Sequence, residues 1–123
     1  MKILAIGDVC GPAGCDFLCR RLGALKRRLV PDFVVVNGEN ATGRGITPAQ
    51  ADDMFFAGAD VITLGNHAFA KQQIAPYLDG RQDILRPANL APQSPGQGWG
   101  IYDGPQGLRL LVMNLIGRCD MHY

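Results

Sequence analysis

Phe33-Val34-Val35-Val36-Asn37-Gly38-Glu39-Asn40 is the stretch on which the fold turns. Its apolar opening, three of whose residues are β-branched, predicts a strand over 33–37 that Gly38 closes. The apolar run does not alternate with polar residues, so the strand is expected to be covered on both faces, as in a parallel sheet. Immediately after the glycine come a carboxylate and an amide. Upstream, Pro31 stops an amphipathic helix in which Leu18, Leu22, Leu25 and Leu29 recur at helical spacing. Arg20, Arg21, Lys26, Arg27 and Arg28 fill its other faces, with cations towards the end where the helix dipole favours them. That basic cluster reads as a solvated face. Earlier still, Lys2-Ile3-Leu4-Ala5-Ile6 predicts a buried strand stopped by Gly7-Asp8, with Gly11, Pro12 and Gly14 prolonging the turn.

Downstream, Thr47-Pro48-Ala49-Gln50 carries the signature of a helix start: Thr47 to cap, Pro48 at the first position, Gln50 to complete a capping box. This helix is expected to run to about Gly58. Val61-Ile62-Thr63-Leu64 then predicts a third strand, stopped by Gly65-Asn66-His67. Strand, helix, strand, helix, strand is the alternation of βαβ units with right-handed crossovers, so the class is α/β with a mostly parallel sheet. A weaker helix is expected over 71–78, compromised by Pro76, and a brief strand over 84–86. The Pro-, Gly- and Asn-rich stretch 87–100 reads as a loop. Segments 100–103 and 108–115 predict a C-terminal antiparallel hairpin around Gly104-Pro105-Gln106-Gly107.

With 123 residues, 47% hydrophobic and 19% charged, the composition is that of one globular domain over 1–123, neither a disordered tail nor a coiled coil. A net charge of +1 gives no support for a duplex nucleic acid partner. No apolar run reaches the ~20 residues of a membrane span, and no signal peptide is evident, so a cytoplasmic protein is expected. Cys10, Cys15, Cys19 and Cys119 are expected as free thiols, since C-x4-C-x3-C matches no common zinc or iron–sulfur spacing.

Each of the first three strands ends in glycine followed by ligand-type residues: Gly7-Asp8, Gly38-Glu39-Asn40 and Gly65-Asn66-His67. Ligands of open α/β sheets bind beyond the carboxyl ends of the strands, so Asp8, Glu39, Asn40, Asn66 and His67 are expected at one edge. Carboxylates, amide oxygens and an imidazole suit divalent Fe, Mn, Mg or Zn. Glycine, Asp and Asn also make ordinary turns, but three such tripeptides at three successive strand ends favour a site. The alternative of a phosphate-binding loop at Gly7 to Gly14 is poorly supported, because the spacing G-x-x-x-G-x-x-G is not that of a dinucleotide fingerprint.

These motifs resemble the calcineurin-like metallophosphoesterases, whose successive strands read GD, GDN or GE(N), and GNH. Gly38-Glu39-Asn40, Arg86-Pro87-Ala88-Asn89 and Asn114-Leu115-Ile116-Gly117-Arg118 narrow the resemblance to the YmdB group. The resemblance runs from Met1 to about Arg118. It implies one half of a two-sheet sandwich and two divalent metal ions per complete site, often iron. It also implies hydrolysis of phosphodiesters, 2′,3′-cyclic nucleotides being the characteristic class, by a metal-activated hydroxide. Carried over by position, Asp8 would bind the first metal, Glu39 would bridge, Asn40 and Asn66 would hold the second, and His67 would be the proton donor.

Two departures bear on activity. The family continues GNH with a polar or aromatic residue, Trp and Asp, where Ala68, Phe69 and Ala70 stand here. Family members are also longer, and their C-terminal half supplies further histidine ligands, including a G-x-H-x-H-type motif. The other histidine here, His122, lacks that context and reads as a bystander. The expectation is an N-terminal part with weak or no activity alone, exposing apolar surface that a partner or a second copy would cover. The alternative function is a catalytically incomplete metal-binding or regulatory module.

Overall fold

The 33–37 stretch is a strand, β2 (Phe33–Asn37), inside a four-stranded sheet with β1 (Ile3–Ile6), β3 (Val61–Thr63) and β4 (Ile84–Leu85). The structure, a computed structural model, describes residues 1–119; His122 lies outside the described residues. Spatial order follows chain order, β1-β2-β3-β4, and every pairing is parallel. Register places Leu4 beside Val34, Ile6 beside Val36, and Ile62 between Val36 and Ile84. These side chains point to one face and form the core with the helices.

Helix α1 (Gly11–Leu29) brings Cys15, Leu18 and Leu22 to that face, α2 (Pro48–Ala57) brings Ala51 and Met54, and α3 (Ile74–Asp79) brings Ile74 and Leu78. Helices between sequential parallel strands fall on one side because each crossover has the same hand. The capping box of α2 is present in full: Gln50 N–H donates to Thr47 Oγ1 at 3.2 Å and Thr47 N–H donates to Gln50 Oε1 at 3.2 Å. Arg81 joins α2 to α3, lying over the Phe55 ring at 4.3 Å and pairing with Asp83 at 2.8 Å. Burial pushes the Cys15 thiol up to about 12, so it behaves as a small apolar core residue.

Three expectations need correction. β1 is not a buried strand: it is the sheet edge, with Ile3 46% exposed, because only β2 flanks it. Gly11, Pro12 and Gly14 do not extend a turn but open α1, where proline loses no intrahelical bond. The third helix starts at Ile74, which puts Pro76 in its first turn, where it is tolerated.

On the opposite face Phe33, Val61 and Leu85 are buried as well. The hairpin of β5 (Trp99–Asp103) and β6 (Arg109–Met113) reaches this side, packing Gly104 against the Phe33 ring. Its outer surface carries Trp99, Ile101, Leu111 and Met113, each about half exposed. No helix among the described residues is long and apolar enough to cross a membrane.

Candidate metal centre

Because β1, β2 and β3 are parallel neighbours, the loops that leave their carboxyl ends share one rim. The loops are stitched together by backbone bonds, from Val9 N–H to Asn37 O at 3.1 Å and from Gly11 N–H to Asn40 O at 2.8 Å. The second of these also occupies an amide that a phosphate loop would need free. Across the rim runs a chain of side chains. Asn40 Nδ2 donates to Asp8 Oδ1 at 2.8 Å, and Asn40 Oδ1 lies 2.6 Å from His67 Nδ1. A carboxylate only accepts, so the Asn40 amide nitrogen faces Asp8 and its oxygen faces the imidazole. His67 then carries its proton on Nδ1, which leaves Nε2 for other work.

Glu39 stands in the same rim with a different environment. Its carboxylate packs directly on Gly65, where a Cβ would overlap both carboxylate oxygens. Asn37 Nδ2 donates weakly to Glu39 Oε1 at 3.4 Å, while Glu39 Oε2 is buried with no hydrogen-bond partner. Asn37 Oδ1 is likewise buried and unpartnered. An anionic oxygen withdrawn from water without a donor is costly, and a cation is the group that would satisfy it. Asn66 is exposed, held between Gly65 against Glu39 and His67 against Asn40.

The donor set therefore fits a hard or borderline divalent ion, with oxygens from Asp8, Glu39 and the asparagines. The asparagines are needed. Among the described residues no three His, Cys, Asp or Glu side chains are grouped closely enough to hold a metal on their own. The Asn40 oxygen has a second lone pair beyond the one that His67 uses. Cys10, at the outer edge, donates to Asp8 Oδ2 at 3.4 Å, and that bond raises its thiol above the ordinary range.

Of the five residues expected at one edge, Asp8, Asn40 and His67 are joined by hydrogen bonds and Glu39 packs on Gly65, while Asn66 stands exposed on the His67 loop. The sequence reading assigned no role to Asn37 or Asn114. Asn114 Nδ2 donates to Leu64 O at 2.6 Å and Leu85 O at 2.9 Å, tying the ends of β3 and β4 below the His67 loop. Arg86, buried, donates to the carbonyls of Pro87, Ser94, Pro95 and Gly96 and so shapes the 87–97 loop. Both lie in motifs quoted above, but Asn114 finds its partners 29 and 50 positions away, which leaves no local signal, and Arg86 finds its own within the loop that it shapes.

The fold is of the α/β class, a parallel four-stranded sheet with helices on one face and a C-terminal antiparallel hairpin reaching the other, and it is shared with a phosphatase of solved structure. The chain belongs to the YmdB-like family: a family model described as "YmdB-like protein" matches residues 4–123. It is 40% identical over 119 residues to the 2′,3′-cyclic-nucleotide 2′-phosphodiesterase of Bacillus subtilis, a match covering 96% of this chain and 45% of that protein. A hypothetical protein from Thermus thermophilus superposes with a TM-score of 0.89 at 32% identity, over 100% of this chain and 48% of the other. A novel phosphatase from Mycoplasma pneumoniae gives 0.83 at 30% identity, over 96% and 43%. The chain thus spans a little under half the length of these relatives.

Proposed function

We infer that this chain carries the carboxylate and amide portion of a dinuclear metal site in a phosphodiesterase, with 2′,3′-cyclic nucleotides as the substrate class. The observation that carries the reading is the pairing, on one rim, of the Asp8–Asn40–His67 chain with the unpartnered Glu39 oxygen. Asp8 would hold one cation, Glu39 would bridge, and Asn40 and Asn66 would serve the other; iron is the favoured metal, with Mn, Mg and Zn also suited to these donors. Two such cations would neutralise phosphate charge and acidify a water for in-line attack.

The residues' own contributions follow from the geometry. Asn40 holds His67 by Nδ1, which leaves Nε2 as the ring nitrogen that, when protonated, would donate to the departing ribose oxygen. Asp8 orients Asn40 through the other end of the same amide. Gly65 lets the Glu39 carboxylate lie against backbone, which fixes its direction.

The test is metal analysis of the purified chain together with hydrolysis of 2′,3′-cyclic AMP and bis-p-nitrophenyl phosphate. Bound metal with turnover that Glu39→Gln removes is the expected result. Bound metal without turnover selects the second reading, a metal-binding module. That reading draws on the small number of His, Cys, Asp and Glu donors grouped at the rim. A chain that binds no divalent ion overturns both.

A further inference from the structure

The five rim residues include two carboxylates and no permanently cationic side chain, which is a poor surface for an anionic phosphodiester. The connection between β2 and α2 offers a remedy. Residues 42–45 form a tight turn fastened to the backbone of the two candidate ligands. Gly43 N–H donates to Asn40 O at 2.8 Å, Gly45 N–H donates to Glu39 O at 2.7 Å, and Thr42 N–H donates to Gly45 O at 3.0 Å. Thr42 Oγ1 closes it further by donating to Arg44 O at 2.7 Å. Gly43 and Gly45 have φ of 99° and 90°, values that other residues adopt only under strain. The turn holds the Gly43 Cα within about 7 Å of the Asn40 Cα, and Arg44 follows directly.

Gly45 also meets the segment after His67. A Cβ there would sit 3.0 Å from Ala70 Cβ and 3.1 Å from Lys71 Cγ, so the turn that carries Arg44 lies on 70–71. Arg44 and Lys71 are both exposed, and among the described residues neither side chain makes a hydrogen bond or ion pair. Several other cations are engaged, Arg81 by Asp83, Arg109 by Asp103 and Lys26 by Gly58 O, and the exposed Arg27 and Arg28 lie on α1, not on a loop bonded to the rim.

We propose that Arg44, supported by Lys71, is the phosphate-gripping residue of this site, its guanidinium taking the non-bridging oxygens of the phosphodiester. Arg44 supplies planar, two-pronged recognition, and Lys71 adds a point charge. Two positive charges on the loops that adjoin the rim would reduce the repulsion that an arriving anion meets. The assignment deepens the phosphodiesterase reading and rests on it for the identity of the anion.

The test is a titration of the full chain with inorganic phosphate, followed by the NMR signals of the Gly43, Arg44 and Lys71 amides. Arg44→Ala is expected to weaken phosphate about tenfold, as loss of one charge-assisted pair does. Arg44→Lys should recover part of this, Lys71→Ala should cost less, and Arg27→Ala on α1 should change nothing. Metal stoichiometry should be unaltered in Arg44→Ala, which separates this inference from the metal assignment that Glu39→Gln tests. Parental phosphate affinity in Arg44→Ala, or phosphate that leaves those amides unmoved, overturns the proposal even where the metal site stands. Phosphate held by Arg44 in a chain whose metal content ignores Glu39 keeps the anion grip and removes the phosphodiesterase reading.

Discussion

The two ends of the parallel sheet use the same kind of residue for opposite purposes. At the amino ends, Asp32, Asp60 and Asp83 each stand one residue before a strand, and each is spoken for. Asp32 accepts from Lys2 N–H at 2.6 Å, Asp60 accepts from Val34 N–H at 2.7 Å, and Asp83 takes the Arg81 fork at 2.8 Å. A cleft of about 500 Å³ opens there, lined by these aspartates with Phe33, Tyr102 and Asp103. Burial, with Asp83 adding to it, pushes the Tyr102 phenol up to about 12, and the hydroxyl donates to Gln82 O at 2.6 Å. Among the described residues, no buried side-chain oxygen in that cleft lacks a partner. At the carboxyl ends, by contrast, Glu39 keeps a buried oxygen without a donor. A site is marked by unmet bonding capacity rather than by the size of a hollow or the number of acids around it.

The contrast can be broken by four substitutions. The largest effect is expected from Glu39→Gln, which keeps the shape but removes the charge, and should abolish metal retention measured by elemental analysis. Unchanged stoichiometry there would put Glu39 among the structural acids of the other end. Gly65→Ala comes next: its methyl would displace the Glu39 carboxylate, so metal affinity should fall at least about tenfold while the far-UV spectrum is kept. Tight metal binding in this variant would show that the close approach is incidental. Asp60→Ala should do the reverse. It strands the N–H of the fully buried Val34, lowering stability by about 1–2 kcal/mol in denaturant unfolding, with metal content untouched. A loss of metal would unite the two ends after all. Smallest is Asp103→Asn, whose ion pair with Arg109 is largely exposed, and the thermal midpoint should not move measurably.

Much of this was legible beforehand because it is local. The β2 bounds, the α2 capping box and the hairpin turn each depend on a few adjacent residues, and they appear where periodicity and turn chemistry place them. The errors were local readings overridden by position. Ile3 and Ala5 look like core residues, but β1 has a neighbour on one side only. Gly11 looks like a turn, but the backbone bond to Asn40 O fixes it at the head of a helix.

The order of residue types along the chain was enough to specify parallel strands, helices on one face and ligand-type side chains at a shared edge, since hydrophobic period and crossover handedness act through near neighbours and general sterics. Which of those side chains is satisfied was settled only by folding. Asn40 spans Asp8 and His67, Glu39 presses against Gly65, and Asn114 reaches Leu64 across fifty positions. Hydrogen-bond partners depend on distances of a few ångströms between segments remote in sequence, and only the packed sheet brings those segments together.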